Sequence, residues 1–214
     1  MNFKNKYWFF KSIVPPKICN DIIDYALKQR SMSGLTGTFG KSRNVADQPL
    51  TNKEIKELHK KRNSQVVWIN QPWIHKEIIP YVRLANQNAN WNFEWDDFED
   101  AQFTYYKKDH HYGWHCDSWD APYQEGSKKG KIRKLTSSLV LSDPADYKGG
   151  ELQFDFRQYD PPARNPKVHV TTIKESLPKG SILVFPSFFW HQIKPITKGM
   201  RYSLLIWYLG NPFK

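Results

Sequence analysis

Tyr112-Gly113-Trp114-His115-Cys116-Asp117 is the stretch on which the fold turns. It reads as a strand or strand edge, and along a strand residues i and i+2 point to the same face. His115 and Asp117 can then reach toward one point. A third side chain stands far downstream, at the end of Lys179-Gly180-Ser181-Ile182-Leu183-Val184-Phe185-Pro186-Ser187-Phe188-Phe189-Trp190-His191: a Gly turn, an apolar strand, a Pro that ends it, and an imidazole. Two imidazoles and one carboxylate form the facial triad that holds non-haem Fe(II) while leaving positions open. His115, Asp117 and His191 are therefore the candidate metal ligands. Alone, a His-x-Asp triplet arises by chance, and the plainer reading is a hydrogen-bonded core histidine beside a turn aspartate. The context outweighs that reading.

Working outward, Arg201-Tyr202-Ser203-Leu204-Leu205-Ile206-Trp207-Tyr208 begins with a cation and continues as a buried strand. The pattern from Ala101 onward is nearly all strand: Ala101–Lys107, Tyr112–Asp117, Leu135–Leu141, Glu151–Phe156, Val168–Ile173, Ser181–Phe185, Gln192–Pro195 and Arg201–Leu209. Many short strands separated by turn signals indicate a sandwich or jelly roll. Before them, Pro15-Pro16 precede a helix with Ile18, Cys19, Ile22, Ile23, Ala26 and Leu27 on one side, and Gly34 to Asn44 reads as a loop. Thr51-x-x-Glu54 has capping-box spacing ahead of Ile55 and Leu58. Gln65 to Ile69 reads as a strand; Pro72 suits the first turn of a helix that Pro80 should kink or restart. Trp91, Phe93 and Trp95 alternate as in a strand, before an acidic turn at Asp96 to Asp100. The two long polar connections, Ser118–Lys134 and Arg157–Pro178, are candidate substrate lids.

The three ligands, the cation at Arg201, Tyr106 ahead of the triad and Gly149-Gly150-Glu151-Leu152 between its halves appear in a fixed order. On these residues the chain from about Ala101 to Tyr208 resembles the Fe(II)/2-oxoglutarate-dependent dioxygenases, in their prolyl 4-hydroxylase-like branch. The resemblance implies a mainly β protein with flanking helices: a double-stranded β-helix (jelly roll) core over 101–210, buttressed by a helical support segment over 1–100, in a single domain 1–214. It implies Fe(II), 2-oxoglutarate and O2, with ascorbate as a further cofactor. The implied reaction hydroxylates a C–H bond, in a prolyl residue of a peptide or protein, and releases succinate and CO2.

Site roles follow from the same resemblance. Arg201 would anchor the distal carboxylate of 2-oxoglutarate, which a guanidinium can grip with two parallel hydrogen bonds. Ser203, two residues on and on the same strand face, would touch that carboxylate; Tyr106 would offer its phenol to the cosubstrate; Thr136 would lie on the pocket floor. The secreted collagen branch typically carries Lys at the anchor, so Arg201 resembles the intracellular and bacterial-type enzymes. After Tyr106-Lys107-Lys108-Asp109, related proteins usually carry a Gly that this chain lacks.

The remaining candidates rank lower. His110 and His111 are rival ligands read as exposed, and His59, His75 and His169 have no partner at useful spacing. Cys116 reads as a packed thiol. Gly149-Gly150 suits a tight strand entry. Trp114, Trp190 and Trp207 read first as core, with any one of them able to wall the pocket.

Composition sets the outer bounds. At 214 residues, one domain with a full core is the simplest organisation. Tyr7-Trp8-Phe9-Phe10 is too short for a signal-peptide core, and no stretch approaches a membrane span. Only Cys19 and Cys116 are present, which favours a reducing cytoplasm over a disulfide framework. The net charge of +11 raises nucleic acid as a partner. Residues 1–62 hold 13 Lys/Arg and 5 Asp/Glu, net +8, against 9 and 10 over 63–134 and 10 and 6 over 135–214. A local cluster, Lys128-Lys129-Gly130-Lys131-Ile132-Arg133-Lys134, reads as a solvated loop tip. Two competing functions remain. A nucleic-acid oxidative demethylase would carry Arg-x-Asn-x-Thr-x-Arg near the anchor, unlike Arg201-Tyr202-Ser203-Leu204-Leu205-Ile206-Trp207. A non-catalytic jelly-roll binding protein would not need the complete ligand set.

Overall fold

Strand parity organises this chain, and it is visible in the computed structural model, which describes residues 3–34, 51–118, 121–157, 163–173 and 177–213. In chain order the elements are β1 (Trp8–Phe10), α1 (Pro16–Leu27), β2 (Met32–Ser33), α2 (Asn52–Lys61), β3 (Arg62–Asn63), β4 (Gln65–Ile69), α3 (Pro72–Asn88), β5 (Asp97–Phe98), β6 (Ala101–Tyr106), β7 (His111–His115), β8 (Ile132–Val140), β9 (Tyr147–Gly149), β10 (Leu152–Asp155), β11 (Val170–Thr172), β12 (Ile182–Pro186), β13 (Trp190–Ile193), β14 (Ile196–Gly199) and β15 (Arg201–Gly210). The larger sheet runs β1-β12-β8-β15-β6-β4-β2, with β5 on β15; the second runs β11-β10-β13-β7-β3; β14 and β9 form a separate pair. This mainly β, antiparallel architecture is the expected double-stranded β-helix. The first hundred residues contribute strands as well as helices, since β1, β2 and β4 widen the larger sheet and β3 the second.

The larger sheet separates core from site. Leu204, Ile206 and Tyr208 of β15 join Phe103 of β6 and Leu139 of β8 in the core with Ile74, Ile78, Val82 and Ala85 of α3. The alternate residues Arg201, Ser203, Leu205 and Trp207 line a cavity between the sheets, beside Gln102 and Tyr106. A slip of one residue would exchange these two sets. Burying each such Leu, Ile or Phe is worth about 1.5–3 kcal/mol, so the register is firmly held.

Local signals mostly place the helices. α1 starts at the Pro pair and buries Cys19, Ile22 and Ala26. The capping box forms: Glu54 N–H donates to Thr51 Oγ1 at 3.3 Å and Thr51 N–H to Glu54 Oε2 at 2.9 Å. Pro80 does not break α3, which runs unbroken from Pro72 to Asn88. The proline is on the exposed side, so the carbonyl left without a donor by its missing N–H can be hydrated.

Other expectations fail for reasons of pairing. Trp91, Phe93 and Trp95 do alternate in burial, but no strand forms there. Asn92 takes φ 53, and the Asn86 amide occupies the Phe93 backbone, donating to its carbonyl at 2.9 Å and accepting its N–H at 3.0 Å. The acidic turn contains β5, and β8 starts at Ile132, inside the presumed loop. Most of the Gly34–Asn44 loop lies outside the described residues.

Candidate metal and cosubstrate site

His115 and His191 are a direct cross-strand pair of β7 and β13. The expected strand over Tyr112–Asp117 stops at His115. Asp117 lies beyond it, where the Asp117 and Ser118 N–H groups both donate to the Ser187 carbonyl, at 2.8 and 2.9 Å. The turn after β12 thus aims the carboxylate, in place of strand parity.

Each imidazole is fixed by its own backbone. His115 Nδ1–H donates to the Gly113 carbonyl at 2.8 Å, and His191 Nδ1–H to the Phe189 carbonyl at 2.9 Å. A carbonyl only accepts, so each ring carries a proton on Nδ1, and in its neutral form each Nε2 presents a lone pair. Those atoms stand 3.7 and 3.6 Å from the Asp117 oxygens. All three residues are buried, with their ligand atoms within 4.8 Å of one another. Lone pairs facing a buried carboxylate with no proton between them are unfavourable unless a cation joins them, so the donor set fits a divalent metal.

Electrostatics agree. Burial, aided by His191, pushes His115 well below its ordinary value, which keeps it neutral. Burial would push Asp117 up, but His191, His115, Arg133 and the Thr136 hydroxyl outweigh it and hold the carboxyl below the usual range. With both imidazoles neutral, as metal ligation requires, their share of that support falls away and Arg133 and Thr136 matter more.

Thr136 is not where the resemblance put it. Its hydroxyl donates to Asp117 Oδ2 at 2.8 Å and meets Ser187 Oγ at 2.9 Å, fully buried and off the cavity wall. It touches the carboxylate, not the space a cosubstrate would fill.

That space is a cavity of about 250 Å³ lined by Tyr106, Arg201 and Ser203 together with the His115, Asp117 and His191 group. Arg201 pairs in register with Tyr106, and its guanidinium lies 5.7 Å from that ring. It is 7% exposed and makes no hydrogen bond or ion pair to protein among the described residues. Gly150, at φ 70, lets the chain pass: a Cβ there would collide with Ile196 and come within 3.2 Å of Arg201 Cδ. Opposite these, Tyr112 stacks on His115, ring centroids 3.5 Å apart and 9° between planes. Burial pushes the Tyr112 phenol up to about 12.

The basic cluster is not a free tip. Lys131 meets Asp96 at 3.0 Å and Lys128 meets Asp97 at 3.3 Å. Arg133 clasps Glu99 through Nε and Nη2, both at 2.6 Å, and Tyr123 donates to the same carboxylate at 2.7 Å. Arg133 also lies 4.0 Å from the Trp207 ring and lines the cavity. The arm after Asp117 is therefore latched to the β5 segment by complementary charge.

The second proposed lid, in its described part, runs along the edge and back of the second sheet. There β11 pairs with β10, and Arg164 packs over Trp114 and Trp190 at 4.8 and 4.9 Å while meeting the buried Asp155 at 3.1 Å. His110 and His111 are half-buried, not exposed, and neither joins the ligand group. The His111 ring lies against the Lys60 carbonyl at 2.9 Å. Asp109 adopts φ 66 in the turn where a Gly was expected, a conformation Asp tolerates better than most. Cys116 Sγ turns to the Ser118 carbonyl at 3.1 Å.

Fold, ligand geometry and partnerless arginine together define an iron-dependent oxygenase type of site. The model of the 2OG-Fe(II) oxygenase superfamily matches residues 101–209, and the chain belongs to that family. Fe(II), 2-oxoglutarate and O2 are the family's cofactor and cosubstrates. Among curated relatives, a PKHD-type hydroxylase of Xylella fastidiosa (strain 9a5c) is 30% identical over 112 residues, covering 50% of this chain and 42% of that protein. One of Synechococcus sp. (strain CC9902) is 38% identical over 96 residues, 45% and 35% of the two chains. The match thus spans less than half the length of these relatives. The fold is shared with the viral collagen prolyl hydroxylase of Paramecium bursaria Chlorella virus-1 in its 2OG complex (TM-score 0.64, 19% identity, 97% of both chains). It is shared also with a Pseudomonas putida prolyl-4-hydroxylase (TM-score 0.60, 15% identity, 96% and 93%). No helix among the described residues is long and apolar enough to cross a membrane.

Arg62, Gln102, Tyr112, Arg133 and Trp68 line the cavity and carried no sequence signal. Arg62 ends a helix, and Arg133 hid within a run of lysines.

Proposed function

We propose that this chain hydroxylates a C–H bond of a prolyl residue in a peptide or protein, coupled to conversion of 2-oxoglutarate to succinate and CO2. His115, Asp117 and His191 hold the metal, and Arg201 receives the distal carboxylate of 2-oxoglutarate with Tyr106 and Ser203 beside it. Thr136 orients Asp117 and does not touch the cosubstrate. Bound Fe(II) supplies the oxidising power by coupling O2 reduction to decarboxylation. The protein's own work is positioning and exclusion of water, through the apolar walls Leu152, Ile193, Leu205 and Trp207. The observation that carries the reading is Arg201: a buried guanidinium without a protein acceptor, opening onto the same cavity as a two-histidine, one-carboxylate cluster. Burying such a charge unpaired is costly unless a ligand completes it. The prolyl assignment rests on the hydroxylase names of the relatives and structural neighbours.

The test is mass spectrometry of prolyl peptides, free amino acids and methylated oligonucleotides incubated with protein, Fe(II) and 2-oxoglutarate. One added oxygen on proline with stoichiometric succinate, absent in His191→Ala, is expected. Demethylation of the oligonucleotide with unmodified peptides would refute the assignment.

A further inference from the structure

Three guanidinium groups line the cavity: Arg62, Arg133 and Arg201. Glu99 neutralises Arg133. Arg62 is 5% exposed and has no carboxylate among the described residues. Its Nε donates to Ser64 Oγ at 2.8 Å and its Nη2 to Gln102 Oε1 at 2.8 Å. Its plane lies 4.4 Å from the Tyr112 ring, which in turn stacks on His115. Two neutral acceptors and an aromatic face hold the group rigid without cancelling its charge, leaving other N–H donors for a ligand.

Position separates Arg62 from Arg201. Arg201 sits opposite Tyr106, at the end closed by Gly150 and Ile196. Arg62 is bonded to Gln102, whose backbone lies four residues back along β6 from Tyr106, about 13 Å of strand, although both guanidinium groups still act on the Tyr106 phenol. Gln102 pairs in register with Trp68, which is 42% exposed, so this is the open side of the cavity. Charges point the same way. Fe(II) and a 2-oxoglutarate dianion cancel, Asp117 balances Arg201, and Glu99 balances Arg133. Arg62 remains.

We infer that Arg62 is a second anion-binding residue at the cavity mouth, and that the substrate of this site carries a carboxylate that Arg62 receives. This rests on the prolyl reading above and narrows it to two sources of the same group: an acidic residue beside the proline, or the carboxylate of a free imino acid. The donor geometry is a fork on a rigid aromatic support, suited to bidentate grip.

The experiment measures equilibrium binding by calorimetry to anaerobic protein loaded with Fe(II) and 2-oxoglutarate. The probes are acetyl-Ala-Ala-Pro-Ala-Ala-amide, the same peptide with Glu before or after Pro, and L-proline. A charge-assisted pair predicts that a Glu peptide or L-proline binds about ten- to a hundredfold tighter than the neutral peptide. Which of them gains identifies the source of the carboxylate. Arg62→Gln should erase the gap and leave 2-oxoglutarate affinity unchanged, whereas Arg201→Gln should weaken 2-oxoglutarate. Equal binding of acidic and neutral probes by the unmodified protein overturns the inference, and needs no variant to fold. A 2-oxoglutarate defect in Arg62→Gln as large as that in Arg201→Gln also overturns it, by making Arg62 part of the cosubstrate anchor. If a deoxyoligonucleotide binds and no prolyl probe does, the prolyl reading fails. The carboxylate assignment fails with it, and unweakened oligonucleotide binding in Arg62→Gln overturns the anion-binding role of Arg62 as well.

Discussion

Replacing Thr136 with Val removes one hydroxyl and almost no shape, which isolates what that hydroxyl does. Thr136 has a single proton to give, and a carboxylate can only accept, so the 2.8 Å contact is donation to Asp117 and Ser187 donates to Thr136 at 2.9 Å. Val at this position forfeits a hydrogen bond to a buried charge and leaves the Ser187 hydroxyl without that acceptor. The combined loss in metal-free stability is about 2–4 kcal/mol, readable in urea unfolding. Metal affinity should fall roughly ten- to a hundredfold, the usual cost of losing a partner that orients a ligand, in an anaerobic Fe(II) titration. Affinity for 2-oxoglutarate at saturating metal should not change, because Thr136 does not line the cavity. Thr136→Ser, keeping the hydroxyl, should restore most of the metal affinity. Undiminished metal affinity in Thr136→Val, with weakened 2-oxoglutarate binding instead, would refute the orienting role and return Thr136 to the pocket floor.

Arg201→Ala should weaken 2-oxoglutarate by about ten- to a hundredfold with iron binding retained, and Arg201→Lys should recover only part, lacking the planar fork; calorimetry with unchanged affinity would sink the anchor role. Glu99→Gln should destabilise the fold by about 2–3 kcal/mol, because it leaves the largely enclosed Arg133 beside an uncharged amide; a midpoint of urea unfolding within error of the parent contradicts the latch. Gly150→Ala should cost about 1–3 kcal/mol from its positive φ and the collision with Ile196. The same change should weaken 2-oxoglutarate through Arg201, so a variant of normal stability and cosubstrate affinity would show that the close approach is unimportant.

Much of the site was legible because its signals are local. His115 and Asp117 lie close in the chain, Arg201 opens a strand whose alternation is plain, and the capping box at Thr51 and Glu54 needs only four residues. What escaped depends on partners distant in sequence. Arg133 and Glu99 are 34 positions apart, and nothing near Arg133 marks it as the member of a basic run that pairs with a buried carboxylate and lines the cavity. Arg62 becomes a cavity residue only because β3 pairs with β7 at the edge of the second sheet. The Trp91 to Trp95 alternation misled because burial period and ladder pairing are separate properties, and here a side-chain amide took the ladder's place. Thr136 was placed on the right strand with the wrong neighbour, since parity gives a face but not which group on that face is nearest.

The pairing of Arg164 with Trp114 and Trp190 gives the molecule a window on its own interior. Each indole is one peptide unit from a candidate ligand, Trp114 from His115 and Trp190 from His191, and the two share one cation on the reverse of the sheet. The wall between them and the reactive space is a single strand layer thick. An Fe(II) ion held by the two imidazoles would sit one strand layer from both indoles and quench their native emission, a label-free gauge of occupancy read as a partial loss against the chain's other seven tryptophans.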